Sequence, residues 1–324
     1  MARVFVGMSG GVDSSLTAAL LVEQGHDVTG VYMKNWSQDL PGMKCPWAED
    51  LADAKRVAVG LGIDFRVFDF EKEYKQNVVD YMVDEYKAGR TPNPDIMCNQ
   101  EVKFKLFLDV ALERGAEMIA TGHYARTQGG VLLHAADDNK DQTYFLYRVE
   151  SSALEKTLFP LGDFTKSEVR EMARARGLWT ATKKESMGIC FVGQVGIREF
   201  LSEYVETVPG DIIDAQTGAV VGRHDGAIFY TLGQRHGLNV GGGLPYYVVD
   251  KDMKKNEVYV SQQLNSDELW RTELSLGDVH WIGDIPSDGE YQVRVRHRTP
   301  LVSARLQAEG VTAHLALAEP QRAV

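Results

Sequence analysis

Along the first half of the chain, short apolar runs alternate with longer segments whose apolar residues recur three and four positions apart. "RVFVGM" (3–8) carries a short apolar run after Arg3 and ends at a glycine-rich turn, which predicts a buried strand. "SLTAALLVEQG" (15–25) follows with helical spacing and a closing glycine, and "VTGVYMK" (28–34) is a second buried strand. The alternation continues through "DLADAKRVAVGLG", "IDFRVFDF", the helix "VKFKLFLDVALERG" and the strand "EMIATGHY". Strand, helix and strand in this order predict an α/β domain with a doubly wound parallel sheet.

From about Glu206 the period changes. Short alternating runs separated by Gly, Asp-Gly and Asn turns predict a small β-rich region over 206–268, and "LSLGDVHWIG", "YQVRVRHR", "VSARLQA" and "VTAHLALA" predict a β-barrel-like segment over 269–324. The expected division is therefore 1–205, 206–268 and 269–324.

Composition narrows the class. At 44% hydrophobic and 25% charged residues the chain reads as globular, and no run approaches the roughly 18 apolar residues of a membrane span. No leader-like segment follows "MARVFVGMSGG", so a cytoplasmic protein without a membrane partner is expected. Three cysteines, Cys45, Cys98 and Cys190, with no CxxC spacing, point to reactive thiols rather than a disulfide scaffold or a zinc site. A net charge of -11 argues against a generally basic surface but allows a local basic groove. "RVRHR" (294–298) is one such stretch, and by charge alone it reads as a solvated edge strand.

Candidate chemistry begins at "MSGGVDSS" (8–15), where the first strand turns into the first helix. Glycines 10 and 11 admit close backbone approach, Ser9, Ser14 and Ser15 add hydroxyls, and a helix N-terminus favours an anion, so phosphate is the expected guest. The loop lacks the Walker Gly-Lys-Ser/Thr ending and is not GxGxxG. Asp13 would repel a bare phosphate, which suggests a bridging Mg2+. Met33 ends the second strand, where ligands bind in such sheets, and is equally well read as core.

"RTPNPDIMCNQE" (90–101) places Asp95 as a cap of the following helix and Cys98 in its first turn. The helix dipole lowers the thiol pKa while the carboxylate raises it, so the acid fits proton transfer better than thiolate formation. A half-buried cysteine beside a helix cap is the simpler reading of these residues alone. In "TKKESMGICFVG" (182–193), Lys183 and Lys184 precede Cys190 and would favour its thiolate.

"SGGVDSS" is similar to the signature of the PP-loop ATP pyrophosphatases. Together with "YMKNW", "YKAGRTPNPDIMCN", "IATGHYAR", "DNKDQTYFLY", "SMGICFVG" and "YTLGQRHGL", in order along nearly the whole chain, it resembles the tRNA-specific 2-thiouridylase family. The resemblance implies ATP-dependent adenylylation of the C2 carbonyl of a wobble uridine, then sulfur transfer from a cysteine persulfide to give 2-thiouridine, AMP and pyrophosphate. It implies an ATP site of Gly7, Met8, Ser9, Gly10, Gly11, Val12, Asp13 and Ser14, completed by Met33 and Gly122. Asn93, Pro94 and Asp95 would surround the target base, with Asp95 as general acid and base. Cys190 would carry the persulfide and Cys98 would be the second thiol and nucleophile, with a disulfide between them as the natural end point. His123, Lys140, Asp141, Gln142, Arg296 and His297 would contact tRNA, although His123 and the "KDQ" triplet read as polar surface turns without the resemblance.

The implied partners are the anticodon loops of Glu, Gln and Lys tRNAs and a sulfur-relay protein or cysteine desulfurase. The family pattern continues through a Pro-Gly-Gln segment where this sequence ends at "LALAEPQRAV", so the last domain is expected to be incomplete at its end. Three other readings compete. They are a PP-loop synthetase that adenylylates a small metabolite, a non-catalytic tRNA-binding sulfur carrier, and an iron-sulfur cluster held by Asp95, Cys98 and Cys190.

Overall fold

The computed structural model describes residues 1–39, 45–184, 196–241, 243–263 and 269–322. The chain divides into two units. The first comprises Met1–Asp80, Asn93–Gly196 and Trp281–Asp284, and the second Tyr81–Pro92, Ile197–His280 and Ile285–Val324.

In the first unit the apolar runs become strands β1 (Arg3–Gly7), β2 (Asp27–Lys34), β3 (Asp64–Asp69) and β4 (Met118–Ala120). A hairpin of β5 (Arg126–Gln128) and β6 (Val131–Leu133) stands apart, and β7 (Thr157–Leu158) completes the main sheet. The sheet order is β3-β2-β1-β4-β7, with every pair parallel. The chain builds outward from β1 through β2 to β3, then returns to lay β4 on the other side of β1. That reversal opens a crevice beyond the carboxyl ends of β1 and β4, the position at which such sheets bind ligands.

Helices α1 (Val12–Glu23), α2 (Trp47–Leu61) and α3 (Lys166–Ala175) flank this crevice. Continuous burial of Val12 and of Ser14 through Leu21 puts α1 in the interior, which explains why its apolar residues cover more than one face. Val6, Ala18, Leu21 and Val57 form one core cluster, and Leu16 and Leu20 meet Leu161 and Val169 in another. Helix α3 starts sharply because Thr165 and Glu168 form a reciprocal capping box.

The second unit holds two sheets. β8 (Gly210–Asp214), β9 (Val220–His224), β10 (Tyr247–Asp252) and β11 (Glu257–Ser261) are ordered β10-β11-β8-β9, with β11 and β8 parallel. β12 (Trp270–Leu276), β13 (Gly289–Val293), β14 (Val302–Glu309) and β15 (Thr312–Arg322) form an antiparallel sheet ordered β12-β15-β14-β13. In β14 the buried Val302, Ala304 and Leu306 alternate with exposed residues, the strand period expected of "VSARLQA".

One element differs from its expectation. "RVRHR" is a turn rather than a basic edge strand, since β13 stops at Val293. The backbone of Arg298 takes φ +65°, and Thr299 Oγ1 donates to the Arg296 carbonyl at 2.7 Å, which closes the turn. Arg296 is exposed on it and His297 is half-buried.

Candidate active site

The phosphate loop lies at the strand reversal. Gly11 is the N-cap of α1 and supplies no capping side chain, which leaves the first-turn N–H groups for a ligand. Ser9 is exposed at the loop's edge, and its amide donates to Ser14 Oγ at 3.1 Å. The hydroxyls of Ser14 and Ser15 both donate to the Gly11 carbonyl, at 3.2 and 2.7 Å, so they brace the loop internally rather than standing as spare donors.

Two glycines are fixed by close approach. A Cβ on Gly122, just past β4, would lie 2.9 Å from the Asp13 carbonyl carbon and the Ser14 nitrogen, and Gly10 has φ +74° with the Asp50 carbonyl oxygen 2.4 Å from its would-be Cβ. Met33 reaches the same region, its Cε 2.9 Å from where a Gly7 Cβ would stand. Gly7 through Ser14, Met33 and Gly122 thus lie close to one another at the strand reversal, with Met8 and Val12 facing the core.

Asp13 has different company from that expected. Lys166 Nζ donates to both of its carboxylate oxygens at 2.7 Å, and the Tyr124 hydroxyl donates to Oδ1 at 2.9 Å. A metal at this carboxylate would have to displace an ammonium, and no group of three His, Cys, Asp or Glu suited to a metal occurs among the described residues. The donor set therefore does not fit a protein-built magnesium site.

The second part of the site is the helical run starting at Pro94. Asn93 caps it, its side chain accepting from the Asp95 amide at 3.1 Å, so the cap is Asn93 and Asp95 lies inside the first turn. Pro94 is at the first helical position, where its missing N–H costs nothing. The run widens to π-type winding over Cys98–Leu106 and continues as α-helix over Phe107–Glu113. Asp95 and Cys98, three residues apart, share one face.

Cys98 is only 2% exposed. Burial pushes the Asp95 carboxyl above its ordinary range, and the charge of Lys103 opposes this only in part. Such a group can keep a proton near neutrality better than a free aspartate, as a general acid requires. Next to Cys98, Asn99 donates through Nδ2 to the Phe145 carbonyl at 2.9 Å, while its buried Oδ1 has no partner among the described residues.

His123 is 8% exposed, bonded to Thr121 Oγ1 at 2.8 Å and set 5.5 Å from the Phe104 ring, so it is an interior residue rather than part of a polar surface turn. Burial, assisted by the charge of Lys103, holds its imidazole well below the ordinary value and hence neutral. Asp141 is 2% exposed and its oxygens organise a turn by accepting from the amides of Ala135 and Thr143 at 2.7 and 3.1 Å. Its side chain is therefore spent inside the protein. Gln142 accepts from the Tyr124 amide at 2.9 Å, and Lys140 is half-buried beside it.

Cys190, with Gly188 and the whole of "SMGICFVG", lies outside the described residues, as does any Cys98–Cys190 disulfide. Lys183 donates to Asp50 and Asp53 at 2.8 and 2.6 Å, so two carboxylates face its charge, while the Cys190 thiol that it was expected to favour lies outside the described residues. Of the three proposed cluster ligands only Asp95 and Cys98 are described.

Sequence reasoning missed Lys166, Tyr124 and Lys103. The T-x-x-E box at Thr165–Glu168 marks a helix start and so could have located Lys166, but nothing local pairs it with Asp13.

A parallel sheet whose first strand turns through an uncapped, glycine-rich loop into a buried helix is the frame of a nucleotide-binding domain, and the "SGGVDSS" of that loop matches the PP-loop class. Models of known domain families match in three pieces, described as tRNA methyl transferase HUP domain over residues 2–194, tRNA methyl transferase PRC-barrel domain over 198–262 and aminomethyltransferase beta-barrel domain over 271–324. Over nearly its full length the chain is 46% identical to the tRNA-specific 2-thiouridylase MnmA of Enterococcus faecalis, covering 99% of this chain and 89% of that one. It is 50% identical to the protein of the same name from Chromobacterium violaceum, covering 91% and 79%, and 47% identical to MnmA 2 of Geobacillus kaustophilus, covering 96% and 84%. The chain belongs to the tRNA-specific 2-thiouridylase family.

Proposed function

We propose that this enzyme converts the C2 oxygen of a tRNA wobble uridine to sulfur, with the residues above dividing the work. A uracil carbonyl oxygen is a poor leaving group. Its attack on the α-phosphorus of ATP, held at Gly7–Ser14, forms an O-adenylyl ester and expels pyrophosphate, so that oxygen can later depart with AMP. Magnesium would enter with the triphosphate and offset its charge, and no step here is routed through it.

The terminal sulfur of a persulfide on Cys190 then adds at C2 and AMP leaves. Cys98 thiolate attacks Cys190 Sγ, which releases 2-thiouridine and leaves a Cys98–Cys190 disulfide. In the other order, Cys98 first cleaves the persulfide and liberates hydrosulfide that attacks C2. Both routes end at the same disulfide, which an external dithiol must reduce before a sulfur donor reloads Cys190. Asp95 protonates or deprotonates the base during adenylylation and displacement.

The observation that carries this reading is the placement of Asp95 and Cys98 on one helical face, the acid raised by burial and the thiol shielded from water. An acid of that kind is idle in a structural helix start and useful beside a base that gains and loses protons. The targets are proposed as anticodon loops of Glu, Gln and Lys tRNAs, where an unpaired base leaves the stack at low cost, and the donor as a sulfur-relay protein or desulfurase.

The test is one reaction of purified protein with unmodified tRNA, Mg-ATP and sulfide, with digested nucleosides weighed for 2-thiouridine, run beside Cys98→Ala and Cys190→Ala. Thiouridine from the parent and none from either variant is the expected result. Thiouridine from Cys190→Ala at the parent's rate would remove the persulfide role.

A further inference from the structure

We propose that Thr231 is a positioning residue for the thiolation reaction: its hydroxyl, bonded to Thr91, tethers the proline-stiffened segment that runs directly into Asn93, Pro94 and Asp95. This inference rests on the roles proposed above for those three residues and deepens them.

Thr91 and Thr231 are 140 positions apart in sequence, belong to the second unit, and bring their hydroxyl oxygens within 3.0 Å. The stretch "YTLGQRHGL" (230–238), for which the chemistry above has no use, builds the holder. The Thr231 amide donates to Gln234 Oε1 and the Gln234 amide donates to the Thr231 carbonyl, both at 3.0 Å. The Gly233 amide donates to the Val248 carbonyl at 2.8 Å, and the Val248 amide donates to the Gln234 carbonyl at 3.0 Å, which pins the turn to β10. Lys251, also on β10, donates through Nζ to the Tyr230 carbonyl at 2.7 Å. Thr231 therefore stands on a turn that is fixed on both sides of it.

The segment that it holds is stiff. The helix Tyr81–Lys87 ends where the Gly89 and Arg90 amides donate to the carbonyls of Tyr86 and Glu85, both at 2.9 Å. A Cβ on Gly89 would lie 2.8 Å from Met253 Cγ, so the chain leaves that helix pressed on a side chain that packs against the cluster of Tyr230 and Val248. Thr91, Pro92, Asn93 and Pro94 follow. Each proline fixes its own φ and keeps the residue before it extended, so a shift at Thr91 is passed on to Asn93 rather than absorbed. Asn93 is extended, at φ -109° and ψ 100°, and caps the helical run whose first turn holds Asp95. The hydroxyl pair is exposed, and a neutral hydrogen bond in that setting adds little to stability. Its effect is geometric, because misplacing a reacting group by about 1 Å from a remote position can cost about a hundredfold in rate.

The experiment follows 2-thiouridine formation by the full chain with Mg-ATP, sulfide and varied amounts of unmodified tRNA. It compares the parent with Thr231→Val, Thr231→Ser, Thr91→Val and the double variant Thr91→Val/Thr231→Val, with ATP affinity and melting temperature measured beside the rates. Thr231→Val keeps the shape and loses the hydroxyl, so kcat should fall about three- to tenfold while KM for tRNA and Kd for ATP stay within about twofold. Its melting temperature should stay within about 2 °C of the parent's. Thr231→Ser should recover most of kcat, and the double variant should be no slower than either single one, since the two hydroxyls act as a pair. An unchanged kcat in Thr231→Val overturns the proposal. So does a raised KM for tRNA with kcat kept, which would make Thr231 a tRNA contact, or a double loss equal to the product of the two single losses. A melting temperature that falls in step with kcat would make the pair a stability contact and overturn it as well. Should Thr231→Val fail to fold, Thr91→Val carries the same comparison. A parent that forms no thiouridine removes the reaction proposed above and this inference with it, whereas an active parent with an unaffected Thr231→Val removes the inference alone.

Discussion

Tyr124 links two parts of the sequence that lie far apart. Its amide donates to Gln142 Oε1 at 2.9 Å, and its hydroxyl donates to Asp13 Oδ1 at the same distance. A residue of the "KDQ" triplet thereby positions the tyrosine that positions the phosphate loop. Gln142→Ala removes one neutral hydrogen bond, worth about 0.5–1.5 kcal/mol. The expected outcome is a modest rise in KM for ATP with the fold intact, read from pyrophosphate release at varied ATP. An unchanged KM would show that the tyrosine is held without Gln142.

Asp95 sets stability against activity. Burial raises its carboxyl in the folded chain above the unfolded value, so between those two values the folded state binds more protons and stability falls as pH rises. Asp95→Asn removes the buried charge. It should therefore melt higher than the parent at neutral pH, with a gap that narrows as pH drops through the raised value, and it should lose thiolation. Melting curves across pH check the first part, and a gap that widens on acidification would contradict it.

Gly122 has no room for a side chain. Its would-be Cβ is 2.9 Å from backbone atoms of Asp13 and Ser14, which cannot move without displacing α1. Gly122→Ala should cost about 1–3 kcal/mol of stability by overpacking and should reduce ATP binding more than any effect on tRNA binding. Nucleotide titration beside a tRNA gel shift separates the two.

Lys183 is a brace. Its ammonium joins Asp50 and Asp53, and Asp53 also accepts from Trp179 Nε1 at 2.9 Å. Burial pushes the Asp53 carboxyl up, but the bonds from Lys183 and Trp179 outweigh it and the group sits below its ordinary value. Lys183→Met should destabilise the fold by about 1.5–3 kcal/mol at neutral pH. The stabilisation from a lowered carboxyl is present above its unfolded value and is lost as pH falls through the folded one, so the difference from the parent should shrink in acid. Denaturant titrations at neutral and acidic pH measure it.

The sequence by itself determined the alternation of strand and helix, the phosphate loop and the closeness of Asp95 to Cys98, because each depends on residues within a few positions of one another. Tertiary structure decided what those groups meet. Asp13 reads as a metal ligand until Lys166, on another helix, takes both its oxygens. His123 and Asp141 read as surface residues until aromatic rings and backbone amides enclose them. The basic stretch at 294–298 alternates like a strand, yet a left-handed residue and a threonine bond turn it. In each case the deciding partner is brought by folding or by a backbone conformation that side-chain pattern does not encode, and burial then fixes the charge that each group can carry.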